Sequence, residues 1–90
     1  MSEQAVFDAL KYRIEVDISG TRRYYNAANQ LHRDEGPAIE FLNGAKFWFQ
    51  YGIRHRTDGA AIEYSDGDKA WYINGEELTE DEFNQRVKNV

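Results

Sequence analysis

Ten residues of this chain recur at one fixed spacing. His32, Arg33, Gly36, Ala38, Ile39, Glu40, Gly44, Lys46, Trp48 and Gly52 return 23 positions later as His55, Arg56, Gly59, Ala61, Ile62, Glu63, Gly67, Lys69, Trp71 and Gly75. A unit this short is one supersecondary element, which buries its apolar surface only by stacking on its neighbours. The chain is thereby held to a stack of similar elements, each doing the same local job.

Each unit reads as a β-hairpin. Asn43-Gly44 and Asp66-Gly67 occupy matching positions between runs rich in aromatic and β-branched residues, Ala38 to Leu42 with Ala45 to Tyr51 and Ala60 to Ser65 with Asp68 to Ile73. Such dipeptides predict type I′ turns, with positive φ at both central residues. Moving the frame back another 23 residues sets Tyr25 at the Trp48 position, Val16 at Ile39, Ile18 at Phe41 and Gly20 at the turn. That first unit is degenerate, as expected of a terminal cap. Its leading strand, Tyr12 to Ser19, alternates apolar with polar residues and predicts one buried and one solvated face.

The ends differ from the middle. Residues 3–11 are expected to form a short helix. Thr79 and Glu82 make a capping box ahead of a helix over about residues 80–88, with Glu80, Asp81 and Glu82 in its first turn and Phe83 and Val87 placed to close the open end of the sheet. The expected fold is mainly β, an antiparallel meander of about three β-hairpins with a short C-terminal α-helix and an N-terminal one. A single domain, 1–90, then divides into an N-terminal segment (1–11), a degenerate repeat (12–31), two full repeats (32–54 and 55–77) and a capping helix (78–90).

Composition limits the function classes. The absence of cysteine removes disulfides, thiolate metal sites and cysteine nucleophiles, and suits a reducing compartment. The N-terminus has no basic segment followed by a long apolar run, and no later stretch is long enough to span a membrane, so the expected location is the cytoplasm. Net charge is -5. Residues 22–75 carry seven basic and seven acidic groups, so the excess lies at the ends: two against four in 1–21 and two against five in 76–90. An acidic chain repels phosphate backbones at long range, which disfavours nucleic acid as the partner.

With the units laid out, residues 22–83 resemble short tandem repeats of the MORN-like kind, in the variant common among small bacteriophage proteins. That variant runs His-Arg-x-Asp-Gly-Pro-Ala, a short strand, x-Gly, then Trp-Tyr-x-Asn-Gly. It is matched by His32-Arg33-Asp34-Glu35-Gly36-Pro37-Ala38 with Phe47-Trp48-Phe49-Gln50-Tyr51-Gly52, and again by His55-Arg56-Thr57-Asp58-Gly59-Ala60-Ala61 with Trp71-Tyr72-Ile73-Asn74-Gly75. Leu78 to Phe83 resembles the close of the same family. Glu35 stands where Asp is usual, Ala60 replaces the Pro, and the first unit lacks the His-Arg-Asp-Gly signature. The resemblance implies a hairpin stack and, in a phage setting, a host or defence factor as partner. It implies no catalytic residue.

The candidate binding residues are aromatic and basic. Strand alternation sends Phe47, Phe49 and Tyr51 to one face and Trp48 with Lys46 to the other. A sheet with little helical cover leaves part of Trp48, Trp71 and Tyr25, or of Phe49, Tyr72 and Tyr51, accessible, edged by Lys46, Lys69, Arg54 and Arg56. Such a surface has the composition of a protein-binding hot spot. The competing expectation places Trp48 and Trp71 in the core against the terminal helices. His32 and His55 fall in register along the stack, roughly 5 to 10 Å apart by strand spacing. A shared ligand or proton is one reading; a local role, with each His bonded to an acidic residue across its loop and Gly36 and Gly59 supplying special backbone geometry, is the other. Glu40 and Glu63 alternate with buried Ile and are expected beside Lys or Arg on adjacent strands rather than as a hydrolytic pair.

No phosphate loop, nucleophile elbow or metal motif is present, so neither cofactor nor metal is expected. The leading expectation is a non-enzymatic module that binds another protein through an aromatic sheet face. The alternative is single-stranded nucleic-acid binding, with Trp48, Trp71 and Tyr25 stacking on bases and Arg54, Arg56 and Lys69 on phosphates. A hydrolase using His32 and His55 and an acidic Glu76 to Glu82 segment imitating DNA phosphates are lesser readings. Homodimerisation through an open edge strand stays open.

Overall fold

The computed structural model describes residues 2–88; residue 1 and the last two positions of the expected capping segment, 89 and 90, lie outside that range. Helix α1 (Glu3–Lys11) starts at Ser2, whose Oγ accepts from the Ala5 N–H at 3.1 Å, and ends where Tyr12 turns extended. Nine short strands follow: β1 (Arg13–Val16), β2 (Arg22–Tyr25), β3 (Ile39–Glu40), β4 (Lys46–Phe47), β5 (Phe49–Gln50), β6 (Ile53–Arg54), β7 (Ile62–Glu63), β8 (Lys69–Ile73) and β9 (Glu76–Leu78). Helix α2 (Glu80–Lys88) closes the chain.

Seven strands form one antiparallel sheet in the order β1-β2-β3-β4-β7-β8-β9, while β5 and β6 pair only with each other. The protein is thus mainly β, an antiparallel meander with a short helix at each end. The leading strand of the first unit is shorter than the alternation suggested. It covers Arg13–Val16, because Tyr12 caps α1 and Asp17 to Thr21 form the turn.

That turn recurs in every unit, and it is not type I′. Gly20, Gly44 and Gly67 have positive φ (87°, 97° and 93°), whereas Asn43 and Asp66 do not. The N–H of each Gly donates to the carbonyl of Asp17, Phe41 or Tyr64, three residues back. The Asp17, Phe41 and Tyr64 N–H groups then donate to the carbonyls of Thr21, Ala45 and Asp68. These are three-residue loops, a type I turn closed by a left-handed residue. Asn43 and Asp66 serve through their side chains, accepting from the Ala45 and Asp68 N–H at 3.0 Å.

Two-residue loops with positive φ at both positions lie at the opposite end of the sheet, at Tyr51-Gly52 (52° and 79°) and Asn74-Gly75 (51° and 83°). The first unit has a three-residue loop there, Ala27-Ala28-Asn29, with the Asn29 N–H on the Asn26 carbonyl and φ 63° at Asn29. That extra residue shifts the frame. His32 and His55 donate their backbone N–H to the carbonyls of Tyr24 and Trp48 respectively, so Tyr24, not Tyr25, stands where Trp48 does.

Register separates the two sheet faces. One cross-strand row runs Arg22, Glu40, Lys46, Glu63, Lys69, a ladder of alternating charge as expected for Glu40 and Glu63. The row of the opposite face runs Arg23, Ile39, Phe47, Ile62, Ala70. At the C-terminal end Ile73, Leu78 and Phe83 are buried together, with Trp71 and Val87 packed against them. The capping box forms: the Thr79 N–H donates to Glu82 at 2.8 Å, and the Glu82 N–H to Thr79 Oγ1 at 3.1 Å.

Candidate functional site

The His-Arg segments form the joints between units. Arg33 lies over the Tyr24 ring, its Cζ 4.0 Å from the centroid, and Arg56 lies over Trp48 at 3.8 Å. Each guanidinium also donates to a carbonyl four residues on, Pro37 at 3.2 Å and Ala60 at 2.9 Å, and faces the ladder carboxylate of its unit, Glu40 at 3.5 Å and Glu63 at 3.2 Å. Arg33 is buried and takes its nearest acid from α1, Asp8 at 2.8 Å; Arg56 uses Asp58 at 2.7 Å. Gly36 and Gly59 make room for these stacks. A Cβ there would sit 3.1 Å from the Arg33 Cζ and 2.9 Å from the Arg56 Cζ. Neither glycine has positive φ, so close approach rather than special backbone geometry requires them.

The histidines act locally. His32 Nδ1 accepts from the Tyr51 N–H and His55 Nδ1 from the Asn74 N–H, both at 2.9 Å, so each ring pins the first residue of a two-residue loop. With Nδ1 accepting, the His32 proton resides on Nε2 and is donated to Asp34 at 2.8 Å. Thr57 replaces Asp34 in the next unit, and His55 has no such bond among the described residues. The expected His-to-acid bond therefore holds for His32 alone. Lys11 also bonds Asp34, which holds the Asp34 carboxyl below the usual range, with His32 as a further cause. Between the two joints lies an open cleft of about 960 Å³ containing Lys46, Trp48, His55 and both arginines. Among the described residues no group of three His, Asp or Glu side chains is placed to hold a metal ion.

The eight residues expected to bind a partner do not make one row. Trp48 and Arg56 are consumed in the joint just described. Trp71 belongs to the C-terminal cluster, and Tyr25 takes Arg13 on its ring at 4.2 Å. Tyr51 occupies a turn, which breaks the strand alternation, and it meets the His32 ring at 4.5 Å while staying 65% exposed.

The remaining three come together on the face opposite the charge ladder. The Arg54 guanidinium lies 5.3 Å from the Phe49 ring, 4.9 Å from Tyr72 and 5.5 Å from Phe47. Its Nε is buried without a hydrogen-bond partner, and no carboxylate of the described residues reaches it within ion-pair distance. Phe47 continues the surface edge-on to Phe41 at 5.0 Å and to Tyr64 at 6.2 Å, and Tyr64 is 46% exposed. Strand alternation placed Phe47 on the Phe49 face, whereas Phe41 and Tyr64 were not expected there. Phe41 and Tyr64 are 23 apart and two positions beyond the repeated Ile39 and Ile62, which was signal enough to place them on the Ile face.

The fold and this surface define a class: a small antiparallel hairpin stack, helix-capped at both ends, with an aromatic and basic patch on one sheet face. No protein-family model, curated protein or solved structure matches the chain. Among the described residues no helix is long and apolar enough to cross a membrane.

Proposed function

We propose that the chain is a non-enzymatic module that binds another protein through the face carrying Arg54, Phe47, Phe49 and Tyr72, and that its partner presents carboxylates among apolar side chains. The observation that carries this reading is the Arg54 guanidinium, set among three rings without an acid of its own among the described residues. A cation held on ring faces keeps its charge available at a desolvated surface, where a partner carboxylate gains most from meeting it. Arginine and aromatic side chains are also the residue types that dominate binding energy at interfaces. In keeping with the phage-type repeats that the sequence resembles, that partner would be a host or defence factor.

The test uses the Arg54 Nε–H resonance in a spectrum of the labelled protein. A peptide alternating glutamate with leucine is expected to shift it saturably, while the same peptide with glutamine for glutamate leaves it in place. Arg54→Gln, with the fold verified by circular dichroism, is expected to abolish binding. Equal responses to the two peptides, or none, would overturn the proposal. Binding of oligothymidylate at Arg54 instead would favour the single-strand alternative.

A further inference from the structure

Among the described residues the sheet has two open edges, β1 and β9, and one of them is defended. β9 carries Glu76 and Glu77 beside the acidic first turn of α2, so two copies meeting there would oppose acid to acid. β1 has neither proline nor lysine, and three of its four residues are exposed. Val16 is 58% exposed and Ile18, just beyond, is fully exposed. Helix α1 is tied to the ladder face by Asp8 on Arg33 and leaves this edge without a neighbouring strand. We infer that β1 is a self-association edge, on which a second copy of this chain docks antiparallel about a two-fold axis centred on Ile14.

Hydrogen-bond polarity and charge together select the register. The Asp17 N–H bonds the Thr21 carbonyl, so the β1-β2 pairs Glu15 with Arg23 and Arg13 with Tyr25 are hydrogen-bonded in their turn. The Tyr24 N–H bonds Ala38 on the far side, as this alternation requires. Ile14 and Val16 therefore point their N–H and C=O groups outward, and an added strand must pair through them. Setting Ile14 against Val16 of the second copy puts Glu15 opposite Glu15, and setting Val16 against Val16 puts Glu15 opposite Asp17. Setting Ile14 against Ile14 puts Arg13 opposite Glu15 twice, with no like charges facing. Val16 N–H then reaches the Tyr12 carbonyl, whose own N–H is engaged by Asp8. Two seven-stranded sheets become one continuous sheet, and the interface is isologous.

Sedimentation velocity from micromolar to millimolar concentration tests this. The parent is expected to pass from monomer to dimer. Arg13→Glu alone and Glu15→Arg alone are each expected to stay monomeric, because like charges then face across the axis. An equimolar mixture of the two variants is expected to form heterodimers, since each strand now complements the other. The mixture separates docking from the Arg13 to Glu15 contact within one chain, which both variants lack. A parent that stays monomeric, single variants that dimerise like the parent, or a mixture that stays monomeric would each overturn the inference.

Discussion

At the residue scale the molecule turns on arginines laid across rings of the preceding unit. The pairing of Arg33 with Tyr24 and of Arg56 with Trp48 explains why His-Arg and the glycine three residues later repeat together: the guanidinium passes where a side chain would stand. The sequence displayed the spacing but not its cause, because the ring belongs to another unit and a glycine is first read as a turn. Gly59→Ala is therefore expected to destabilise the fold by about 1 to 2 kcal/mol through overpacking against Arg56. In an Arg56→Ala background the same change should cost almost nothing. Chemical denaturation of the four proteins of this cycle measures the coupling, and equal costs in both backgrounds would mean the glycine serves its own backbone.

At the element scale, what was legible depended on whether the signal was local. Both helices stand where the sequence placed them, and the capping box at Thr79 and Glu82, a purely local signal, is the clearest case. The hairpins were legible, but the type I′ turns expected at Asn43-Gly44 and Asp66-Gly67 are three-residue loops there, and two-residue loops with positive φ at both positions lie at the opposite end of the sheet. Asn-Gly and Asp-Gly fit a two-residue loop and a three-residue loop equally well, and strand register decides between them. The extra residue at Ala27 to Asn29 was hidden for the same reason, and it carried Tyr25 into the place that Tyr24 occupies. Phe83, 4% exposed at the centre of the α2 contact, is expected to cost about 3 kcal/mol on replacement by alanine, read from thermal melts.

The same helix carries a pH dependence. The Thr79 N–H bonded to the Glu82 carboxylate, with Thr79 Oγ1 beside it, holds that carboxyl below its ordinary range. Its contribution is complete above the unfolded value of about 4.3 and is lost as pH falls through the lower folded value. The melting-temperature difference between the parent and Glu82→Gln should accordingly be largest near neutrality and shrink below about pH 4. A difference that is constant with pH would leave the capping carboxylate no such role.

At the scale of the whole molecule, the chain is a short stack whose ends are made by different devices. The first unit presents Tyr24 to Arg33, and α1 supplies Asp8 as the acid nearest Arg33, closer than Glu40 of its own unit. The second presents Trp48 to Arg56, which finds Asp58 within its own loop. The third presents Trp71, and Leu78 with the Phe83 turn of α2 takes the place of a further arginine. Stability in such an array is a sum of unit and joint contributions, so an added unit with a complete joint should raise it. Duplicating residues 55–77 directly after Glu77 supplies such a joint. The new Arg56 meets Trp71 with its own Asp58, and the new Trp71 meets α2. This longer chain is expected to melt in one transition at a higher temperature than the parent. Duplicating residues 32–54 instead copies an arginine with Glu40 but without its nearest acid, Asp8 of α1, and should gain less. If the 55–77 insertion lowers the melting temperature or splits the transition, the two helical caps must act on each other and not through the joints between them.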